Sequence, residues 1–411
     1  MNDRIHDVNY VRACVKYLTV ALFTVTLTSG LSSAQTLSVK DIDSAGLPPG
    51  LVRMGSNENP MGPSPKAIGA VHKYVYNVNR YGWYELDEKG MPSSLDTEER
   101  LTVALAKVDG VPLPENFDSR EHDSPYFFAP GSGNILKLLA IAYLSQGGKE
   151  VVEAQVGYVD IAEEAEDLNT AGIPTKVTLV PMTSDYKHDL DGMRDAITPQ
   201  TALVAITNPN NPTGTLLTFD ELRRFVESVP PEVIVLIDEA YVHFVDDANY
   251  QSAIPLALEH DNVIVVRTFS KVYGIKGLGL GYAVAGSKIL DRMSMYSTGS
   301  PSMLARMAGA AAVEDTAHFE KSRQAVKDSK AMMYNGFDEM GLEYIRSQSS
   351  FVMVNVKHDS ETVSDEMWRR RVRISDRGSD HMKGWIRVSA GTKEETQVFL
   401  KTLRTVLTKL L

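Results

Sequence analysis

Several stretches of this chain repeat one arrangement: a short β-rich run, then polar or glycine-rich residues, then apolar residues at helical spacing. Such alternation predicts an α/β architecture in which strand-to-helix loops gather at the carboxyl edge of a sheet, where open sheets of this kind bind ligands. The first is "YFFAPGSGNILKLLAIAYL" (126–144), where Gly131, Ser132 and Gly133 permit a tight turn. Leu136, Leu139, Ala140 and Tyr143 then fall on one helical face. Backbone N–H groups at such a helix start suit an anion. The second, "TALVAITNPNNPTGTLLTFDEL" (201–222), runs from a strand into two Asn-Pro steps and Gly214, with Thr218 as the expected helix N-cap. Two such steps in one loop point to an amide side chain held at a set angle.

The third, "EVIVLIDEAYVHF" (232–244), carries five apolar residues straight into Asp238 and Glu239. A carboxylate at the end of a buried strand needs a strong donor or a cation, supplied by a structural ion pair or by a protonated heterocycle. Finally, "NVIVVRTF" (262–269) reads as a buried strand that places Lys271 just past its carboxyl end, among small and apolar residues. An amine in a dry pocket has a lowered pKa and is nucleophilic, the condition for Schiff-base chemistry with a carbonyl.

The 411 residues are enough for a large core and two or three domains. A net charge of −11 without a basic block argues against nucleic acid or anionic lipid as partners. No set of residues has metal-ligand spacing. Arg4, Arg12 and Lys16 precede "YLTVALFTVTLTSGL", and "SSAQ" follows. This has the shape of a cleaved signal peptide (1–34) ending near Ala34, so the mature chain is expected to be exported, periplasmic or secreted, with no membrane segment. An amphipathic or anchoring helix is the alternative. The single cysteine, Cys14, lies in that segment, which leaves the mature chain without disulfides.

Together these motifs resemble the class I/II aminotransferases that use pyridoxal 5′-phosphate, and within them the histidinol-phosphate aminotransferase-like branch. The resemblance runs from "MGSNENPMGPSP" (54–65) to "WIRVSAGTKEE" (385–395). It implies the fold type I architecture: an arm (35–80), a large domain (81–300) whose mainly parallel sheet is covered by helices, and a smaller α/β domain (301–411). "PSMLARMAGAAAV" (301–313) is then expected to be the long helix bridging the lobes.

By the same resemblance, Lys271 carries the cofactor as a Schiff base and moves the proton at the substrate α-carbon. Asp238 pairs with the pyridinium nitrogen, and Asn211 and Tyr241 bond the ring oxygen. Ser132, Gly133, Asn134 and Ser270 hold the phosphate, and Tyr158 stacks on the ring. Arg387 binds the substrate carboxylate, with Asn57 also on the substrate side. Tyr81 reaches the phosphate of the neighbouring subunit, which implies a homodimer. The implied reaction is ping-pong transfer of an amino group from an amino acid to a 2-oxo acid.

The chain also departs from the family pattern. Where the family has an arginine on the phosphate, "GLGLGY" has Gly279, and Lys276 is the candidate replacement. "AQVGY" lacks the usual proline before the stacking aromatic, and Ser350 stands where asparagine is common. A decarboxylase, lyase or racemase of the same fold, and a degenerate homologue that binds cofactor without turnover, stay open. His188 is assigned to a surface turn and His243 to packing.

Overall fold

In the computed structural model the alternating runs become a seven-stranded sheet. The structure describes residues 50–79, 84–86, 92–115, 117–118, 123–378 and 381–410. The expected signal segment and Tyr81 lie outside them. The central strands are β1 (Tyr126–Ala129), β2 (Lys149–Ala154), β3 (Thr175–Val180), β4 (Thr201–Thr207), β5 (Ile234–Asp238), β6 (Val263–Thr268) and β7 (Gly281–Ala285). Their order is β1-β7-β6-β5-β4-β2-β3. Neighbours are parallel except around β7, which is antiparallel to both β1 and β6.

Continuous apolar runs make these strands because both faces of the sheet are covered. Val235 and Ile237 of β5 join the core on one face, while Ile234 and Leu236 join the core on the other. The helices are α1 (Pro65–Tyr74), α2 (Thr97–Asp109), α3 (Ser132–Leu144), α4 (Asp160–Thr170), α5 (Phe219–Ser228), α6 (Met303–Val313), α7 (Thr316–Met340) and α8 (Lys393–Leu410). Helices α3 and α4 cover one face, and α2, α5 and α6 the other. Helix α5 starts as expected: the Thr218 hydroxyl accepts from the Glu221 N–H, and the Glu221 carboxylate accepts from the Thr218 N–H.

A second sheet follows in the chain: β8 (Glu343–Ile345), β9 (Phe351–Asn355), β10 (Ser375–Asp376) and β11 (Trp385–Ser389), in the order β8-β9-β11-β10 and wholly antiparallel. Phe337 of α7 and Phe399 of α8 pack on Val352, Val354, Ile386 and Val388. Val52 and Arg53 pair in parallel with Val372 and Arg373, which ties the amino-terminal stretch to this part of the molecule. Among the described residues no helix is long and apolar enough to cross a membrane.

One expectation about the helices is corrected. The stretch 301–313 is not the long helix: α6 has 11 residues, and the 25-residue α7 comes after it. The break is chemical, since the Asp315 side chain accepts from the His318 N–H and starts a new helix there. Helix α6 packs in the core under the central sheet. Helix α7 makes the long span, with Arg323 donating to the Val245 carbonyl beyond β5 and Lys330 donating to the Ser347 carbonyl before β9.

Candidate active site

The parallel register aligns the strand ends: Asp238 stands opposite Thr207 of β4 and Val266 of β6. A cavity of about 340 Å³ opens above this edge. Lys271, Asp238, Asn211, Tyr241, Tyr158, Ser132, Gly133, Asn134, Ser270 and Lys276 all line it. Residues from five separate stretches of sequence thus meet at one place.

Asp238 and Glu239 divide the two options that the sequence left open for a strand-end carboxylate. Glu239 has no exposed surface and is fully engaged. It accepts from Arg267 Nε at 2.9 Å and Nη2 at 2.7 Å, from the Tyr250 and Ser252 hydroxyls, and from the Ala253 N–H. Arg267 continues to Asp109 at 2.6 Å. Asp238 points the other way. From the described residues its carboxylate accepts one hydrogen bond, from the Ala240 N–H at 2.9 Å, and it has no ion-pair partner among them. Burial, with the nearby Asp160 and Glu239 charges added, pushes its carboxyl up to about 7, against the Ala240 bond and the Lys271 charge.

Lys271 lies three residues beyond β6, half-buried, with Nζ 5.3 Å from the centre of the Tyr241 ring. It makes no hydrogen bond or ion pair with a described residue, so its amine is available to a ligand in the cavity.

At the opposite wall, α3 begins at Ser132 directly after Gly131, whose φ of 99° favours glycine. The first N–H groups of a helix have no partner within it, so this wall presents donors and the positive end of a helix dipole. Gly281 on β7 lets the turn come close: a side chain there would collide with the Ser132 backbone. The Asn134 amide donates to the Pro130 carbonyl at 2.6 Å and closes the turn on itself. Two lysines reach the same wall. Lys137, which the sequence reading missed, is bonded to Glu164 at 2.9 Å. Lys276 is exposed and has no such partner among the described residues. It starts a single 3-10 turn that ends at Gly279, where φ is 63°. A larger side chain at 279 would be strained in that backbone, so the missing arginine and the local turn go together.

Tyr241, Asn211 and Arg387 are connected from behind. Arg387 on β11 donates from Nη1 to Asn211 Oδ1 at 2.6 Å and from Nη2 to the Gly55 carbonyl at 2.9 Å. Its guanidinium lies over the Phe351 ring, which meets Tyr241 edge-on at 5.0 Å between centroids. Asn57 is buried, donates to the Tyr241 hydroxyl at 2.8 Å and accepts from the Ser389 hydroxyl at 2.9 Å. It stands behind Tyr241, a placement that no local sequence signal gave.

Two smaller expectations are settled nearby. His188 is not on a surface turn: it is buried, Nε2 lies 3.0 Å from the Thr207 carbonyl, and burial brings its pKa down to about 4. His243 packs edge-on against Tyr273 and Phe319, as expected. A larger concavity of about 520 Å³ lies beside Asp185, Arg194 and Glu221, but those charges already have partners within the fold.

Comparison with known proteins agrees with this fold. The profile of the family described as aminotransferase class I and II matches residues 49–403. A histidinol-phosphate aminotransferase from Moorella thermoacetica is 33% identical over 376 residues, covering 90% of this chain and 87% of the relative. Among solved structures, histidinol-phosphate aminotransferase from Sinorhizobium meliloti in complex with pyridoxal 5′-phosphate superposes with a TM-score of 0.73 at 23% identity, covering 88% of this chain and 92% of that one. L-threonine-O-3-phosphate decarboxylase from Porphyromonas gingivalis shares the fold at a TM-score of 0.68 and 19% identity, covering 87% and 100%.

Proposed function

The chain belongs to the aminotransferase class I and II family, and from that premise we propose that it transfers an amino group from an amino acid to a 2-oxo acid by a ping-pong mechanism centred on Lys271. The cofactor of the family is pyridoxal 5′-phosphate, and the residues present fit it. An unpaired buried carboxyl stands where a pyridinium needs a counter-charge, and a helix start with a free lysine stands where a phosphate needs donors. The free amine of Lys271 lines the same cavity. The single observation that carries the reading is Asp238: a carboxylate left unpaired beside a fully paired neighbour is explained by a cationic ligand.

Bound there, pyridoxal phosphate supplies an aldehyde and a ring that takes up the electrons released at the substrate α-carbon. Asp238 keeps the proton on the pyridine nitrogen. Lys271, whose amine lines the cavity, would be the group that holds the cofactor and would serve as the base for the proton on the substrate α-carbon. Tyr241 and Asn211 would offer donors to the cofactor's ring oxygen, Tyr158 would cover the ring, and Arg387 would be the cation for the substrate carboxylate. Ser270, the start of α3 and Lys276 hold the phosphate. In a homodimer, Tyr81 adds a contact from the other subunit. Export through residues 1–34 is part of the same proposal, and amino-terminal sequencing of the mature chain tests it.

The experiment is absorption spectroscopy of wild type and Lys271→Ala with pyridoxal phosphate, before and after a panel of amino acids without any 2-oxo acid. A lysine-dependent visible band that one amino acid bleaches supports the half-reaction. A band unaffected by every amino acid argues against transamination. The decarboxylase fold match gives the rival reading its one foothold, and release of carbon dioxide without need of a 2-oxo acid would favour it.

A further inference from the structure

Helix α7 buries an ammonium group that is not part of the cavity's lining. Lys330 is 4% exposed, and its Nζ donates to the Ser347 carbonyl at 2.7 Å. A buried charge held by one carbonyl is costly, and a methionine would fill the same space without that cost. The turn that Lys330 holds explains its placement.

Residues 347–350 form the entry to β9 and are tied to three parts of the molecule. From α7, the Tyr334 hydroxyl accepts from the Ser347 N–H at 3.0 Å, beside the Lys330 bond. From the segment after β5, the Asp246 N–H donates to Gln348 Oε1 at 2.9 Å. From the Asn-Pro loop, the Gly214 carbonyl accepts from the Gln348 N–H at 2.8 Å. Contact there is so close that Ser347 leaves no room for a side chain on Gly214. The Gly214 N–H in turn donates to the Asn210 carbonyl at 2.8 Å, next to Asn211. On the other side the turn leads into Phe351 and β9, where Met353 pairs with Arg387.

We propose that Lys330 is a positioning residue for the candidate active site: it fixes the 347–350 turn, and through it the register between the Asn211 loop and the strand that carries Arg387. The 2.6 Å bond between Asn211 and Arg387 closes the loop of contacts that starts at Lys330. The other charged or titratable groups that act on the ammonium are Asp246, which favours its charge, and Lys327, which opposes it. Burial lowers its pKa to about 8, so the charge persists at neutral pH.

This inference rests on the site proposed above, and the test separates the two. Wild type, Lys330→Met, Lys330→Arg and Tyr334→Phe are compared with pyridoxal phosphate bound. One readout is hydrogen exchange at the Gly214 and Gln348 amides. The other is the apparent pKa of the visible band of the bound cofactor, which Asn211 tunes. In Lys330→Met, exchange at both amides is expected to rise about two- to thirtyfold and the band pKa to move by about half a unit. Lys330→Arg restores both, and Tyr334→Phe moves both in the same direction by less. A lower melting temperature with neither readout changed overturns the inference. If Lys330→Met does not fold, unchanged exchange and band in Tyr334→Phe overturn it. A wild type with no cofactor band defeats the proposed function, while the exchange arm still decides whether Lys330 anchors the turn.

Discussion

Two neighbouring carboxylates at the end of β5 belong to two different kinds of polar region. On the Glu239 side, Arg267, Asp109, Tyr250, Ser252 and Tyr282 form a network in which the charged groups meet partners inside the protein. On the Asp238 side, the carboxyl and the Lys271 amine line one cavity, and neither has an ion-pair partner at contact distance among the described residues. The first arrangement joins β5, β6, β7 and α2 and needs nothing from outside. The second is costly until a ligand completes it, because a buried charge without a partner destabilises the fold. The difference teaches where to look for function: in charge that the fold has deliberately left incomplete, since buried charge as such is equally present in both regions.

The largest expected effect breaks the closed network. Arg267→Met leaves the Glu239 and Asp109 carboxylates buried together without a cation, and unfolding free energy in denaturant is expected to fall by about 3 to 5 kcal/mol. Lys271→Met removes a cation that no described residue pairs with, and the same measurement on cofactor-free protein should show a change within about 0.5 kcal/mol. Equal losses for the two variants would erase the distinction.

A smaller effect sharpens the comparison through pH. The Asp238 carboxyl has a folded-state pKa of about 7 against an ordinary value of 3.8. The folded form therefore binds the proton more tightly than the unfolded chain. Its contribution is fully present below about 3.8 and is lost as pH rises through about 7. Cofactor-free wild type should lose on the order of 1 to 3 kcal/mol over that window relative to Asp238→Asn, whose amide does not titrate. Saturating pyridoxal phosphate should remove the pH-dependent part of the loss, because under the proposed function the pyridinium pairs with the carboxylate. A difference between the two proteins that stays flat from pH 4 to pH 8 would show that Asp238 is not held as the structure has it.

How far the sequence foretold these regions depends on the range of the interactions involved. Strand β5 and its two terminal acids were legible because apolar runs and their polar ends are local features. So were the Gly131 turn and the Thr218 cap. Which of the two acids is paired was not legible, since Arg267 lies 28 residues further on and Asp109 lies 158 residues before Arg267. The same applies to Asn57 and Ser389, brought together across 332 residues. The break between α6 and α7 was missed for a different reason. The small-residue run 301–313 reads as strong helix, and only the cap at Asp315 reveals that a second helix begins. The family resemblance named Lys271, Asn211 and Arg387 without their pairing; Lys271 and Asn211 line the cavity, and Arg387 is bonded to Asn211.

The smallest expected effect comes from one phenol in each region. Tyr282 is fully buried, and its hydroxyl donates to Asp109 at 3.1 Å within the closed network. Tyr282→Phe removes one donor while Arg267 still holds the carboxylate, so stability should fall by about 1 kcal/mol and the cofactor band should keep its position. Tyr241 is nearly as buried, but its hydroxyl accepts from Asn57 at the cavity wall, and Asn57 retains Ser389 when that bond is lost. Tyr241→Phe should therefore cost about 1 kcal/mol or less in denaturant and yet shift the visible band, because under the proposed function its phenol is a donor to the ring oxygen. Since the two substitutions delete the same atom, side-chain volume cannot account for opposite outcomes. If Tyr282→Phe moved the band and Tyr241→Phe did not, the boundary between the closed network and the open site would have to be drawn on the other side of β6.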